Sequence, residues 1–366
     1  MSTSYFRTLL CVPLTAPGIG ETLDLLHDPK RFFDVAELRL DYLERPDVAR
    51  LLRDKPCPVI VTNRPTREGG HWAGDETRRL ELLAEADRLG ADYIDIEWDA
   101  REHFGHPGQA RLIVSRHYFQ ETPAEIAEIA RQIEDTDADV VKIATRANTP
   151  ADNVAMLRVL RAARKPTIAV TMGEHGNLPR ILGPKENAFL VYASLGTGLE
   201  SAPGQVPIDE FVDIFRFREI RPATRCFGIL GNPAPHPVYA ALLNRAFRHL
   251  AVDAVALPIR TENPAEVLHA YQEVPMAGYM ILPPLQTKMA DLTNASHSRM
   301  TGFVDTLVMR DERLEGCHLH PCPDAMSPTS QLPSDTNILV KYLAAVFEFW
   351  TDRPAPYEYM HTITSI

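Results

Sequence analysis

Short apolar runs of strand character recur along the first half of the chain, at residues 9–14, 35–40, 58–62, 93–97, 111–115, 139–144, 166–172 and 189–193. Between them lie stretches with helical spacing, notably residues 75–89, 123–133 and 151–163. The rhythm is strand then helix, and repeated over about 200 residues it predicts an α/β protein with a closed (β/α)8 barrel. The alternative is a doubly wound open sheet. A nucleotide-binding sheet of that kind would place a glycine-rich turn after an early strand. The nearest match, Gly196-Thr-Gly198, follows the last run and lacks the third glycine.

The rhythm changes after residue 205. An amphipathic helix is predicted over 208–215, followed by the polar, proline-bearing connector Arg218-Glu-Ile-Arg-Pro-Ala-Thr-Arg225. A boundary near residue 220 follows, with one domain over 1–218 and a second over 219–366. The second domain reads as a strand entering a tight turn at 226–233, a helix over 238–250, a strand over 251–258 and a helix near 264–271. That is a smaller α/β unit.

Charge and cysteine content narrow the function. A formal charge of -11 gives no basic footprint for nucleic acid or an anionic membrane. No apolar run approaches the length of a spanning helix, and Met1-Ser-Thr-Ser-Tyr-Phe-Arg7 lacks the charged and then apolar plan of a secretory signal. A cytoplasmic protein without nucleic-acid or membrane partners is expected. The five cysteines, scattered and odd in number, suggest reduced thiols.

One lysine stands out. Lys142 lies inside the run Asp139-Val-Val-Lys-Ile-Ala144, which reads as a buried parallel strand with the lysine near its C-terminal end, while the other lysines lie beside prolines or in polar sequence. A buried lysine is costly unless it is used or snorkels out. In a barrel the active site gathers at the C-terminal ends of the strands. The residues expected there are Glu37, Arg39 and Asp41; Arg64, with Glu68-Gly-Gly70 beyond; Asp95 and Glu97; Ser115-Arg-His117; and Met172-Gly-Glu-His-Gly176, with Arg180 and Ser201-Ala-Pro-Gly-Gln205 further on. A lysine attacks a ketone as the neutral amine, a form that burial beside guanidiniums such as Arg39 or Arg64 would favour. The resulting iminium is an electron sink. It acidifies the neighbouring carbon, and a histidine such as His117 can remove that proton and return one to a leaving hydroxyl, which together make a β-elimination. Several arginines imply an anionic substrate, most simply a carboxylate.

The motifs Ala36-Glu-Leu-Arg-Leu-Asp41, Thr62-Asn-Arg64 with Glu68-Gly-Gly70, Ser115-Arg-His-Tyr-Phe119, Val141-Lys-Ile-Ala144, Met172-Gly-Glu-His-Gly176 with Arg180, and Ser201-Ala-Pro-Gly-Gln205 resemble, in order, the signatures of type I 3-dehydroquinate dehydratase. The resemblance covers roughly residues 5–215. It implies that Lys142 forms a Schiff base with 3-dehydroquinate, that His117 is the general acid/base with Glu68 as the nearby loop acid, and that Arg180 binds the carboxylate. Glu37, Arg39, Arg64, Ser201, Ala202 and Gln205 match the remaining substrate-binding positions. The expected enzyme is a hydro-lyase of the shikimate pathway that needs no metal or organic cofactor, with the substrate and a second copy of the chain (a homodimer) as partners. Pro179 stands where the family usually has serine, a change that could tilt the Arg180 loop without removing a catalytic group.

The second domain is similar to the substrate-binding domain of shikimate dehydrogenase. The likeness rests on Gly231-Asn-Pro233 with His236, Asn244-Arg-Ala-Phe247, Gly302-Phe-Val-Asp-Thr-Leu-Val308, Gly316 and the closing helix 338–350. Set against that family, Pro237 and Tyr239 replace two carboxylate-binding serines, Gln286 the catalytic lysine, His320 the catalytic aspartate and Tyr342 a substrate-contacting glutamine. The sequence also passes from Gly316 to the last helix in about twenty residues, too few for a dinucleotide-binding unit. A catalytically inactive, regulatory or oligomerising domain is expected, against the alternatives of a bifunctional dehydratase/dehydrogenase and of a non-catalytic barrel sensor. Cys317-His-Leu-His-Pro-Cys322 contains zinc-ligand types, but its spacing suits no familiar zinc motif. It reads as a loop.

Overall fold

A computed structural model describes residues 7–29, 32–196, 205–292, 302–319 and 335–364. The chain divides into two compact units, Met1–Ala147 with Ala155–Ile208 and Asn148–Val154 with Asp209–Ile366.

The first unit is a (β/α)8 barrel. Its strands are β1 (Leu9–Leu14), β2 (Val35–Arg39), β3 (Val59–Thr62), β4 (Tyr93–Glu97), β5 (Arg111–Tyr118), β6 (Val140–Arg146), β7 (Thr167–Met172) and β8 (Leu190–Tyr192). All pairings are parallel, in the order β7-β6-β5-β4-β3-β2-β1-β8. At the remaining seam the Phe189 N–H donates to Thr167 O at 2.9 Å. Among the helices between strands are α1 (Ile19–Leu26), α2 (Val48–Leu52), α3 (Glu76–Arg88), α4 (Ile126–Glu134), α5 (Pro150–Ala162) and α6 (Leu178–Leu182).

Period-two alternation explains how one interior serves both packing and chemistry. Val35, Ile60, Ile113, Val140, Ile168 and Leu190 share one buried cluster, with Tyr93 packed against it. Two and four residues further along the same faces come Glu37 and Arg39, Thr62 and Arg64, Asp95 and Glu97, Ser115 and His117, Lys142 and Ala144, Val170 and Met172, and Tyr192. The lower barrel is therefore greasy and the upper barrel charged. β6 starts at Val140 and continues to Arg146, so Lys142 is its third residue and sits mid-strand rather than near the C-terminal end. β5 likewise runs through His117 to Tyr118, beyond the predicted stop at 115.

The opposite rim has its own device. The residue just before each of β2, β4 and β6 is an aspartate whose carboxylate accepts a main-chain N–H of the preceding strand: Leu10 N to Asp34 (2.9 Å), Val59 N to Asp92 (2.8 Å) and Leu112 N to Asp139 (2.8 Å). Each satisfies a donor that the barrel ladder leaves unpaired.

The second unit is a mixed sheet in the order β10-β9-β11-β12-β13, from β9 (Arg225–Gly231), β10 (Ala254–Arg260), β11 (Met276–Ile281), β12 (Thr306–Arg310) and β13 (Arg313–Cys317). Helices α7 (Pro237–His249), α8 (Pro264–Ala270), α9 (Gln286–Leu292), α10 (Thr336–Thr351) and α11 (Tyr357–Ile363) complete it. Its core is aromatic. Phe227 stacks on Trp350 at 4.2 Å and Phe247 lies 5.4 Å from Phe347, while the Asn244 amide bonds Ala256 N and O at 2.7 and 3.0 Å and fixes α7 on β10. Two predicted elements differ. β10 continues through Pro258, which an edge strand tolerates because the missing N–H can face away from the sheet. The helix expected over 208–215 contains a wide turn, Glu210–Ile214, closed by Phe215 N donating to Glu210 O five residues back at 3.0 Å.

Candidate active site

The upper barrel opens into a pocket whose wall includes Lys142, His117, Glu68, Arg180, Tyr192 and Gln205, together with Glu37, Arg39 and Arg64, and Ala144, Val170 and Met172 as its apolar side. Sequence-predicted residues from β2, β5, β6, α6 and the segments after β3 and β8 thus meet at one place. Ser201 and Ala202 lie outside the described residues.

Lys142 is 6% exposed, and its Nζ is held by Asp95 Oδ2 at 2.7 Å, the Tyr192 hydroxyl at 2.9 Å and Glu37 Oε1 at 3.4 Å. Its direct partners are therefore carboxylates and a phenol; the guanidiniums act one step removed. Arg64 Nη2 binds the same Asp95 oxygen at 2.7 Å, while its Nη1 reaches Glu97 at 2.6 Å and Ser115 Oγ at 2.8 Å. Ser115 in turn donates to Asp95 at 2.6 Å. Burial alone would push the Asp95 carboxyl up, but Arg64 and Lys142 outweigh it and hold it well below the usual carboxylate range. Behind this layer Arg79 of α3, wholly buried, spans Glu97 at 2.8 Å, the Asn63 carbonyl at 2.8 Å and Glu76 at 2.7 Å, tying the helix to the ends of β3 and β4. Arg39 is closed off by Asp41 in a two-pronged pair at 2.9 and 2.7 Å.

His117 depends on a folded-back loop. Trp72 N donates to Arg64 O at 3.1 Å and Gly70 N to Pro65 O at 3.0 Å, which turns the chain between β3 and α3 over the barrel mouth. Gly69 has φ of +73°, and a side chain on Gly70 would sit 2.0 Å from the Arg64 carbonyl oxygen, so both positions require glycine. The loop brings Glu68 Oε2 within 2.9 Å of His117 Nδ1 and 3.2 Å of its main-chain N–H. Phe119 stacks on the imidazole at 5.9 Å. With its proton on Nδ1, toward Glu68, the ring keeps Nε2 as an acceptor for the pocket. Burial, then the charges of Arg64 and Lys142, push the imidazole well below its ordinary pKa. Burial raises the Glu68 carboxyl to about 7. A neutral histidine beside an acid that titrates near neutrality is the outcome.

Arg180 is 1% exposed and, among the described residues, makes two long contacts to main-chain oxygens, Thr171 O at 3.2 Å and Tyr192 O at 3.4 Å. Its Nη2 has no hydrogen-bond partner and it pairs with no carboxylate among the described residues. Burial lowers its pKa to about 10. Pro179 falls in the first turn of α6, where a missing N–H costs nothing, so the helix still delivers Arg180 to the pocket.

Sequence reasoning placed Asp95 and Glu97 at a strand end without giving them partners, and it missed Tyr192 and Arg79. Parity with Leu190 on β8 was the available signal for Tyr192. For Arg79 there was none: its pairing with Glu76 three residues back reads as an ordinary helix pair, and Glu97 and the Asn63 carbonyl lie on other elements. In the second unit Tyr239 and Tyr342 are buried, Gln286 donates to Ile281 O at 3.1 Å, and Pro237 opens α7. Burial pushes the Cys317 thiol up to about 12, and His318 Nδ1 lies 2.9 Å from Asp305; His320 and Cys322 fall outside the described residues.

Residues 10–222 match the family described as Type I 3-dehydroquinase. The 3-dehydroquinate dehydratase of Desulfotalea psychrophila is 36% identical over 220 residues, 56% of this chain and 96% of the relative. The bifunctional 3-dehydroquinate dehydratase/shikimate dehydrogenase, chloroplastic, of Arabidopsis thaliana is 34% identical over 290 residues, 76% of this chain and 48% of the relative. This chain thus spans about half the length of that relative. Its 76% share exceeds what residues 10–222 supply, so the likeness continues into the second unit. The crystal structure of 3-dehydroquinate dehydratase from Geobacillus kaustophilus is similar with a TM-score of 0.51 at 27% identity, over 56% of this chain and 88% of that one. By the match over its barrel, the chain belongs to the type I 3-dehydroquinase family.

Proposed function

We propose that this chain is a hydro-lyase that converts 3-dehydroquinate to 3-dehydroshikimate and water through a Schiff base on Lys142, in the shikimate route to aromatic amino acids. The observation that carries this reading is the grouping, in one pocket, of a buried lysine amine, an imidazole hydrogen-bonded to a loop carboxyl and a buried guanidinium with no carboxylate partner among the described residues. Arg180 takes the substrate carboxylate and so fixes the ring. Lys142, as the neutral amine, adds to the ketone and expels its oxygen as water. The iminium draws electrons from the adjacent carbon, His117 Nε2 removes that carbon's proton, and the proton goes on to the departing hydroxyl. Water then releases the product and restores the amine. Arg64 positions Asp95 and Ser115, while Glu37, Arg39 and Gln205, with Ser201 and Ala202, serve the ring hydroxyls.

Borohydride reduction in the presence of 3-dehydroquinate, followed by peptide mass mapping, tests the mechanism. The expected adduct is on Lys142, and Lys142→Ala should abolish both trapping and turnover. An adduct on another lysine, or turnover retained by the variant, would overturn it. The second unit, whose changed positions are Pro237, Tyr239, Gln286, His320 and Tyr342, serves association or regulation in a cytoplasmic homodimer. Light scattering on the full chain reads that state directly, and a monomeric mass at working concentration excludes the dimer.

A further inference from the structure

We propose that the Tyr192 hydroxyl is a catalytic group that passes a proton between Lys142 Nζ and the substrate carbonyl oxygen as the carbon–nitrogen bond forms. The inference rests on the Schiff-base reading above and adds to it the group that serves the first step. Tyr192 is the last residue of β8 and is 5% exposed. Its hydroxyl lies 2.9 Å from Lys142 Nζ and 3.4 Å from Glu37 Oε1, an oxygen that also accepts from Thr62 Oγ1 at 2.8 Å. The ring is not merely nearby: Nζ sits 4.5 Å from its centroid. An oxygen borne on the carbon that Nζ attacks comes within hydrogen-bond reach of a hydroxyl so close to Nζ itself.

The alternatives at this spot are poorer proton donors. Asp95 is held ionised by Arg64 and Lys142 and can only accept. His117 is turned to Glu68 through Nδ1 and is reserved for the later carbon proton. Burial, then the charges of Glu37 and Asp95, keeps the phenol protonated far above neutrality. The step balances within the site. Starting from the neutral amine, the Nζ lone pair forms the carbon–nitrogen bond, the carbonyl π bond breaks, and its electrons move to oxygen. Tyr192 gives that oxygen its O–H proton and recovers one from the now cationic nitrogen. A neutral carbinolamine and an intact phenol remain.

Tyr192→Phe keeps the ring and removes only the oxygen. Rapid-quench borohydride trapping with 3-dehydroquinate should show adduct formation on Lys142 slowed by about tenfold or more, with KM changed by less than roughly threefold. In a second variant, 2,3,5-trifluorotyrosine at position 192 makes the phenol more acidic at nearly constant size, and the pH profile of the trapping rate should move to lower pH. A role limited to packing or to steadying the lysine would leave that profile in place. Adduct formation by Tyr192→Phe within about twofold of the parent, or an unmoved profile in the fluorinated protein, overturns the inference and leaves the dehydratase reading standing. If Tyr192→Phe did not fold, the fluorinated protein alone decides. Absence of any Lys142 adduct in the parent protein defeats the Schiff-base reading and this inference together.

Discussion

Arg180 is a buried cation whose charge nothing among the described residues balances. Evolution can tolerate that cost when a ligand supplies the missing anion. Arg180→Ala should raise KM by roughly thirtyfold or more, because losing one partner of a buried charge pair costs about 2–5 kcal/mol. An unchanged KM in steady-state assays would place the carboxylate elsewhere. Glu68 makes a second prediction. As pH rises through about 7 its carboxyl loses a proton. The carboxylate then accepts the Nδ1–H of His117 and makes Nε2 a better base, so kcat should climb across that interval. In Glu68→Gln the climb should vanish from the pH–rate profile, since the amide does not titrate. Lys142, His117 and Arg180 were legible in the sequence because their residue types are anomalous for strands or form known motifs. Asp95 as the lysine's anchor, and Tyr192, were not, because those roles exist only as contacts between strands 47 and 50 residues apart.

Elements were legible where burial dictates them. Barrel strands are apolar over most of their length, so their starts and stops in the sequence fall within a residue or two of the structure, except at β5, where polar residues continue the ladder to Tyr118. Local pattern is silent about pairing, and that is why the continuation of β10 through Pro258 and the wide turn at Glu210–Ile214 escaped prediction. It is equally silent about the aspartates of the lower rim. Asp139 belonged to the predicted strand but acts just ahead of it, accepting the N–H of buried Leu112 at 2.8 Å. Asp139→Ala leaves that donor buried without its partner, and denaturant unfolding should show a loss of about 1–3 kcal/mol. Because this rim is the end of the barrel away from Lys142, KM should stay within experimental error. A loss of activity at full stability would show that the rim communicates with the pocket.

At the scale of the whole molecule, the question is whether the second unit carries the dehydrogenase chemistry that its Arabidopsis relative's name includes. A hydride transfer requires a cofactor site, a group to move the accompanying proton and a pocket to hold the acceptor. Only eighteen residues separate Cys317, the end of β13, from Thr336, the start of α10, whereas a single strand–helix–strand crossover already takes about thirty. At the position matching the dehydrogenase lysine stands Gln286, an amide that cannot relay a proton and is already committed to the Ile281 carbonyl at 3.1 Å. Tyr239, where a carboxylate-binding serine would stand, is wholly buried. We propose on these three grounds that the second unit carries no dehydrogenase chemistry, so the full chain supplied with 3-dehydroshikimate and NADPH should leave the 340 nm absorbance of NADPH unchanged while the same preparation dehydrates 3-dehydroquinate. Calorimetric titration should likewise show no NADPH binding. Substrate-dependent NADPH oxidation that persists through purification to homogeneity would show that another part of the chain builds a nicotinamide site and would restore the bifunctional reading.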